Sequence, residues 1–151
     1  NGKVHPYEGG HRVPFIARWP GHIEPGTSSE YTLSMTDLFA TVADLLDREL
    51  PRNAAEDSIS LLPVLLGQES NKPKRETVFV LGDGNDSSIA ICSGRWKLIV
   101  RYGDNRKESY ELYDLANDPG ELTDLSKEQP AVTRTLATAL EKADAAGRTR
   151  N

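Results

Sequence analysis

Lys3, His5, Glu8, His11 and Arg12 surround a Gly9-Gly10 pair in the opening stretch "NGKVHPYEGGHRVPFIARWPG". Cations beside glycines that let a backbone approach closely suit an anion such as phosphate, sulfate or carboxylate. The same residues also read as a solvated turn with scattered charges. Glu8 could serve as a general base. A glutamate beside glycines also hydrogen-bonds loop backbone or pairs an arginine, and Arg12 is near.

The other chemistry-bearing residues read as structural. His5, His11 and His22 have no strand or helix spacing that would bring them together, so no metal site is expected from them. Cys92 lies in "ICSGRWK", an alternating strand running into a Gly94-Arg95 hairpin corner, and reads as a buried thiol. The acid-rich "ELYDLANDPGELTDL" lacks EF-hand spacing. There Asp114 and Asn117 suit turn caps, Asp118-Pro119-Gly120 a turn, and the leucines and Tyr113 anchor the loop.

The elements that must carry these residues follow from periodicity. Residues 1–12 read as a glycine- and proline-punctuated loop. Val13 to Trp19 is near-continuously apolar and of strand length, as in a strand buried on both faces, with Pro14 at its start or on an edge. A helix is predicted from about Thr36 to Leu46, with Ser34 or Thr36 as N-cap and Leu38, Val42, Leu45 and Leu46 on one apolar face. "SISLLPVLLGQ" reads as a short helical turn or two, stopped by Gly67, and "ESNKPKRE" (69–76) as the boundary in the chain. Beyond it, 77–81, 87–93, 96–102 and 109–115 form a four-stranded antiparallel meander separated by the turn-like "GDGND", "GR" and "GDNRK". Gln129 to Ala146 is an amphipathic helix with Val132, Leu136, Leu140 and Ala143 in one stripe and Gly147 as its stop. A sheet with one solvated face needs cover on the other, which this helix can supply.

The fold class is therefore α+β. A length of 151 residues suits one compact chain with a sizeable core. A net charge of −5 argues against a nucleic-acid footprint. No apolar run reaches the length of a membrane span, and one cysteine permits no internal disulfide. These observations name no reaction.

Several segments together resemble the sulfatase family of the alkaline-phosphatase-like superfamily. "GKVHPYEGGHRVPFIARWPGHIEPGT" is similar to that family's lysine-to-Glu-Gly-Gly-x-Arg-Val-Pro segment, and "SMTDLFATVADLL" to the helix that follows it. "DSISLLPVLLGQ" is similar to its Asp-Gly-x-Ser-Leu-x-Pro-x-Leu-x-Gly stretch, with Asp57-Ser58 for the usual Asp-Gly. "GRWKLI" and "ELYDLANDPGELTDL" resemble its C-terminal strands and loop, with Asp124 where the family has Asn. The segments occur in family order.

The resemblance implies that Lys3 contacts the substrate's sulfate, that His5 lines the pocket, and that Glu8, Gly9, Gly10 and Arg12 hold the loop against the strand. It implies a formylglycine from a Cys/Ser-x-Pro-x-Arg motif and aspartate/asparagine ligands for calcium or magnesium. None of these is in the chain, and "CSGR" lacks the proline, so Cys92 is not carried over as nucleophile. The chain looks like the C-terminal third of a sulfatase, inactive alone and binding no metal itself. Residues 1–68 would be the last loop, strand and helix of the large α/β domain, and 75–147 the small C-terminal domain. Its partners would be a sulfate-ester substrate together with the missing N-terminal part, and another copy paired through the orphan strand 13–19. The alternatives are a phosphodiesterase or phosphonate hydrolase of the same superfamily, and a binding or assembly module without chemistry. Export to the periplasm or a lysosomal location follows from resemblance alone.

Overall fold

A computed structural model describes residues 5–68, 75–82, 87–103 and 108–150. The chain divides into two compact units. One joins residues 1–14 to 77–142, and the other joins 15–76 to 143–151. The opening loop thus groups with the sheet, whereas the sequence reading places it with residues 15–68.

In the first unit, β1 (Thr77–Leu81), β2 (Ser88–Ser93), β3 (Trp96–Tyr102) and β4 (Glu108–Asp114) form an antiparallel sheet in chain order. Ser93 pairs with Trp96 across a two-residue turn. There Gly94 takes φ +57°, a conformation a tight hairpin needs and a Cβ disfavours. "GDGND" and "GDNRK" lie wholly or in part outside the described residues. Strand alternation sends Ile91, Leu98, Val100 and Leu112 to one face, where Leu136 and Leu140 of α4 (Pro130–Ala146) close the core. The expected helix and its cover of the sheet are therefore present.

The opposite face is not left to solvent. Ala90, Ile99 and Tyr113 are buried there, with Tyr7 packed against them. The cover is the opening segment itself, which contains a single helical turn, α1 (Glu8–His11), where the sequence reading had only loop. Gly9 and Gly10 belong to this turn and neither takes a positive φ.

In the second unit, α2 (Asp37–Leu45) and α3 (Leu62–Leu65) match the two expected helical segments. Their packing departs from expectation. Asp37, Ala40 and Thr41 are the buried residues of α2, while Phe39, Val42, Leu45 and Leu46 are exposed. The partner of α2 within this unit is polar. Asp37 accepts the Ile59 N–H at 2.9 Å and the Arg75 Nε–H at 3.1 Å. Thr41 Oγ1 accepts the Leu61 N–H at 2.8 Å. Ser58 Oγ accepts the Ala40 N–H at 2.8 Å and donates to the Thr36 carbonyl at 2.7 Å. The apolar stripe faces away from this set.

The strand expected over 13–19 does not form. Among the described residues, 12–19 carry no ladder, and Val13 and Ile16 are 66% and 90% exposed. A strand exists only through a neighbour's N–H and C=O groups, and apolar composition supplies none.

Candidate functional site

The opening turn is tied to the sheet by two charged anchors. The first is Tyr7, which donates its hydroxyl to Glu111 Oε2 at 2.6 Å and accepts from Arg101 Nη2 at 2.9 Å. Arg101 Nε donates to Glu111 Oε1 at 2.7 Å, and the Tyr113 hydroxyl to Glu111 Oε2 at 2.8 Å. Burial opposes ionisation of Glu111, but the donors Tyr7, Arg101 and Tyr113 still hold its carboxyl below the ordinary range. Burial, and then the bond to Glu111, push the Tyr7 phenol up.

The second anchor is Lys97, the second residue of β3 and 0% exposed. A buried lysine keeps its charge only when paired. Its Nζ lies 3.0 Å from Glu8 Oε1, 2.7 Å from Glu121 Oε1 and 3.0 Å from His11 Nε2. Glu121 Oε2 also accepts the Glu8 N–H at 2.7 Å. His11 Nε2 is 3.3 Å from Glu8 Oε1, so it can accept from Lys97 or donate to Glu8, but not both with one proton. The His11 bond first, and then Lys97, hold the Glu8 carboxyl at about 2, against the burial that raises it. Arg12, the partner suggested by sequence, stands 3.5 Å from Glu8 with its own side chain 72% exposed. Lys97, at 3.0 Å, is thus a closer cation on Glu8 than Arg12, and the sequence reading missed it.

The other site residues are placed as follows. Lys3 lies outside the described residues. His5 meets Tyr7 edge-on, with ring centroids 6.4 Å apart. His22 stacks on Trp19 at 4.0 Å. The histidines therefore have separate partners. Cys92 is paired in register with Lys97 on the neighbouring strand, and burial pushes its thiol up to about 11. Of the motif residues, Arg95 forms a two-point ion pair with Asp114, its Nε 2.7 Å from Oδ1. Asp124 accepts the Leu112 N–H at 3.0 Å and the Ser126 N–H at 2.8 Å.

Calcium or magnesium finds no fitting donor set among the described residues, where no group of three or more His, Cys, Asp or Glu could hold a metal ion. Glu8, His11 and Glu121 do converge, but the Lys97 ammonium fills their centre. No described helix is long and apolar enough to cross a membrane.

The family model described as "N-sulphoglucosamine sulphohydrolase, C-terminal" matches residues 2–146. An N-acetylgalactosamine-6-O-sulfatase of Bacteroides thetaiotaomicron is 35% identical over 93% of this chain and 29% of its own length. Human arylsulfatase A is 34% identical over 80% of this chain and 27% of its own. A solved structure described under the metabolism of multiple glycosaminoglycans by Bacteroides thetaiotaomicron is 36% identical, with a TM-score of 0.79, over 94% of this chain and 31% of that one. A phosphonate monoester hydrolase of Agrobacterium radiobacter is 26% identical, with a TM-score of 0.57, over 72% of this chain. The chain spans under a third of the length of these sulfatase relatives.

Proposed function

The chain belongs to the N-sulphoglucosamine sulphohydrolase C-terminal family, and on that premise we propose that it is the C-terminal part of a sulfuric ester hydrolase, to which it supplies Lys3 as the cation on the substrate's sulfate. A sulfate ester carries its charge on non-bridging oxygens. An ammonium held beside them stabilises the charge that builds as the S–O bond breaks. His5 would line the same pocket. Glu8, Gly9, Gly10 and Arg12 would form the turn that presents Lys3.

The observation that carries this reading is the double anchoring of the opening turn. A solvated loop of scattered charges would not be expected to tie Tyr7 into a four-residue network and Glu8 onto a fully buried lysine. A turn anchored at Tyr7 and Glu8 supports this reading, because charge stabilisation in a transition state requires groups that are held in place.

Residues 1–68 would be the last elements of a larger α/β domain, and 75–147 a small C-terminal domain. The remainder of that larger domain would cover the apolar stripe of α2. The nucleophile and metal ligands would come from that remainder, so the chain alone would be inactive.

The test is Lys3→Ala in the sulfatase that carries this chain. Turnover of an aryl sulfate should fall by about two orders of magnitude or more, as loss of one charge-stabilising donor typically costs. Turnover near that of the parent would remove Lys3 from the site. The likeness to a phosphonate monoester hydrolase supports a second reading, phosphonate or phosphodiester hydrolysis. Faster turnover of phosphonate monoesters or phosphate diesters than of sulfate esters by the same enzyme would establish it.

A further inference from the structure

His11 is the residue of the opening turn whose bond to the sheet depends on a proton. Its Nε2 stands 3.0 Å from Lys97 Nζ and 3.3 Å from Glu8 Oε1. An ammonium brings only N–H donors, so the bond to Lys97 needs a lone pair on Nε2, with the ring proton on Nδ1. A second proton on the ring takes up that lone pair. Nε2–H then faces a like charge, and Glu8 Oε1 is the acceptor beside it. The His11 side chain is 25% exposed while Lys97 is 0% exposed, so solvent can deliver the proton to the ring.

The two partners belong to different elements. Lys97 lies on β3, whereas Glu8 opens α1 itself. Bonded to Lys97, His11 joins the turn to the sheet. Bonded to Glu8, it closes the turn on itself.

The groups packed around the ring leave it as the variable member. From α1, Glu8 is held at about 2, by the His11 bond first, and stays an acceptor. Arg12, 3.5 Å from Glu8, is 72% exposed. From β2, Cys92 stands opposite Lys97 with its thiol pushed up to about 11 by burial. Glu121 contacts Lys97 at 2.7 Å whichever way His11 turns. Carboxylates, lysine and arginine ordinarily titrate outside the range from about pH 5 to 8, and histidine within it. The Tyr7 anchor is constant over that range. Burial pushes the Tyr7 and Tyr113 phenols up, Glu111 is held below its ordinary range, and the bond to Glu111 pushes Arg101 up.

We propose that His11 is a proton-operated latch on the opening turn. Neutral, it accepts from Lys97 through Nε2 and fastens the end of α1 to β3. Protonated by solvent, it donates Nε2–H to Glu8 Oε1 and gives up Lys97 to the two glutamates. The His11 end of the turn then leaves the sheet, while Tyr7 stays as the hinge. The latch is independent of the role proposed for Lys3.

Nitrogen-15 and carbon-13 NMR of the chain, from about pH 8 down to about pH 5, tests this. At the upper end the His11 ring should carry its proton on Nδ1 and none on Nε2, and at the lower end one on each. The Lys97 side-chain and Glu8 carboxyl signals should shift with the His11 midpoint, and both should stay flat in His11→Gln. Nuclear Overhauser contacts between the His11 ring and Lys97 should be lost at the lower end. The edge-on contact of Tyr7 with Tyr113, ring centroids 6.1 Å apart, should persist. A proton on Nε2 at the upper end overturns the latch. So does a ring that keeps one protonation state throughout, and so do Lys97 or Glu8 signals that stay flat through the His11 midpoint. Loss of the Tyr7–Tyr113 contact together with that of His11 overturns the hinge. If His11→Gln shows no cooperative melt, the parent's own signals decide by the same criteria.

Discussion

Glu8 is the residue whose charge the opening turn depends on most, and Glu8→Gln isolates it. The substitution keeps the side chain's shape and an oxygen that accepts from Lys97, and removes only the charge. The carboxyl is held at about 2, against an ordinary value near 4.5, by the His11 bond first and by Lys97 next. A carboxyl whose folded pKa is depressed contributes stability above its unfolded pKa, and that contribution is lost as pH falls through the folded one. The window therefore runs from about pH 4.5 down to about 2. At about 1.4 kcal/mol per unit, the contribution at pH 7 is roughly 3.5 kcal/mol, falling to roughly 1.5 kcal/mol by pH 3. The side chain is only 13% exposed, so solvent screening takes little from this figure. Urea unfolding of the chain and of Glu8→Gln at both pH values reads the gap. The gap should be about 2 kcal/mol smaller at pH 3, because the other carboxylates are common to both proteins and cancel. A gap independent of pH would refute the reasoning, and so would a carbon-13 titration of Glu8 with a midpoint near 4.5.

Ser58 holds the first turn of α2 through two hydrogen bonds that a glycine lacks. Ser58→Gly should cost about 1–3 kcal/mol and several degrees of melting temperature, and an unchanged melt would remove the bonds from the account. Cys92, with its thiol pushed up to about 11, should react with iodoacetamide at pH 8 about a hundredfold or more slowly than a free cysteine, and reaction at the free rate would contradict its burial. The exposed Phe39, Val42, Leu45 and Leu46 should drive self-association of the isolated chain, relieved by Phe39→Asp with Leu46→Lys. A strictly monomeric mass by light scattering at high concentration refutes this.

What could be read in the sequence was local, and what could not be read was the choice of partner. The four strands are short β-rich runs between turn signals, and each of them forms. The helix over 37–45 forms too, because its 3.6-residue period is intrinsic. Period alone, however, does not say which face finds a neighbour. The face that did so carries Asp37, whose carboxylate binds the Ile59 N–H and the buried Arg75. The segment 13–19 fails for the same reason in the opposite sense, since its apolar side chains specify burial but no ladder. Lys97 was visible as a lysine amid the apolar residues of a central strand. A sheet expected to have one solvated face gives no reason to look for a buried partner there. Its partner Glu8 lies 89 residues away, and no window along the chain spans that distance.

Asp124 makes the same point within a motif. It stands where the resembled family has Asn, and the change of type looks like a change of charge. In the structure the residue works only as an acceptor, taking the Leu112 and Ser126 N–H groups on a single oxygen. An asparagine carbonyl can accept both bonds equally well. The two residue types therefore offer the same acceptor at that oxygen, and against the burial that raises it the bonds from Leu112 and Ser126 hold the Asp124 carboxyl below its ordinary range. Ser58 departs in the other direction, because its hydroxyl adds bonds that the family's glycine cannot form. A departure from a motif is therefore weighed by the atoms it offers its neighbours, and those neighbours become known only once the chain has folded.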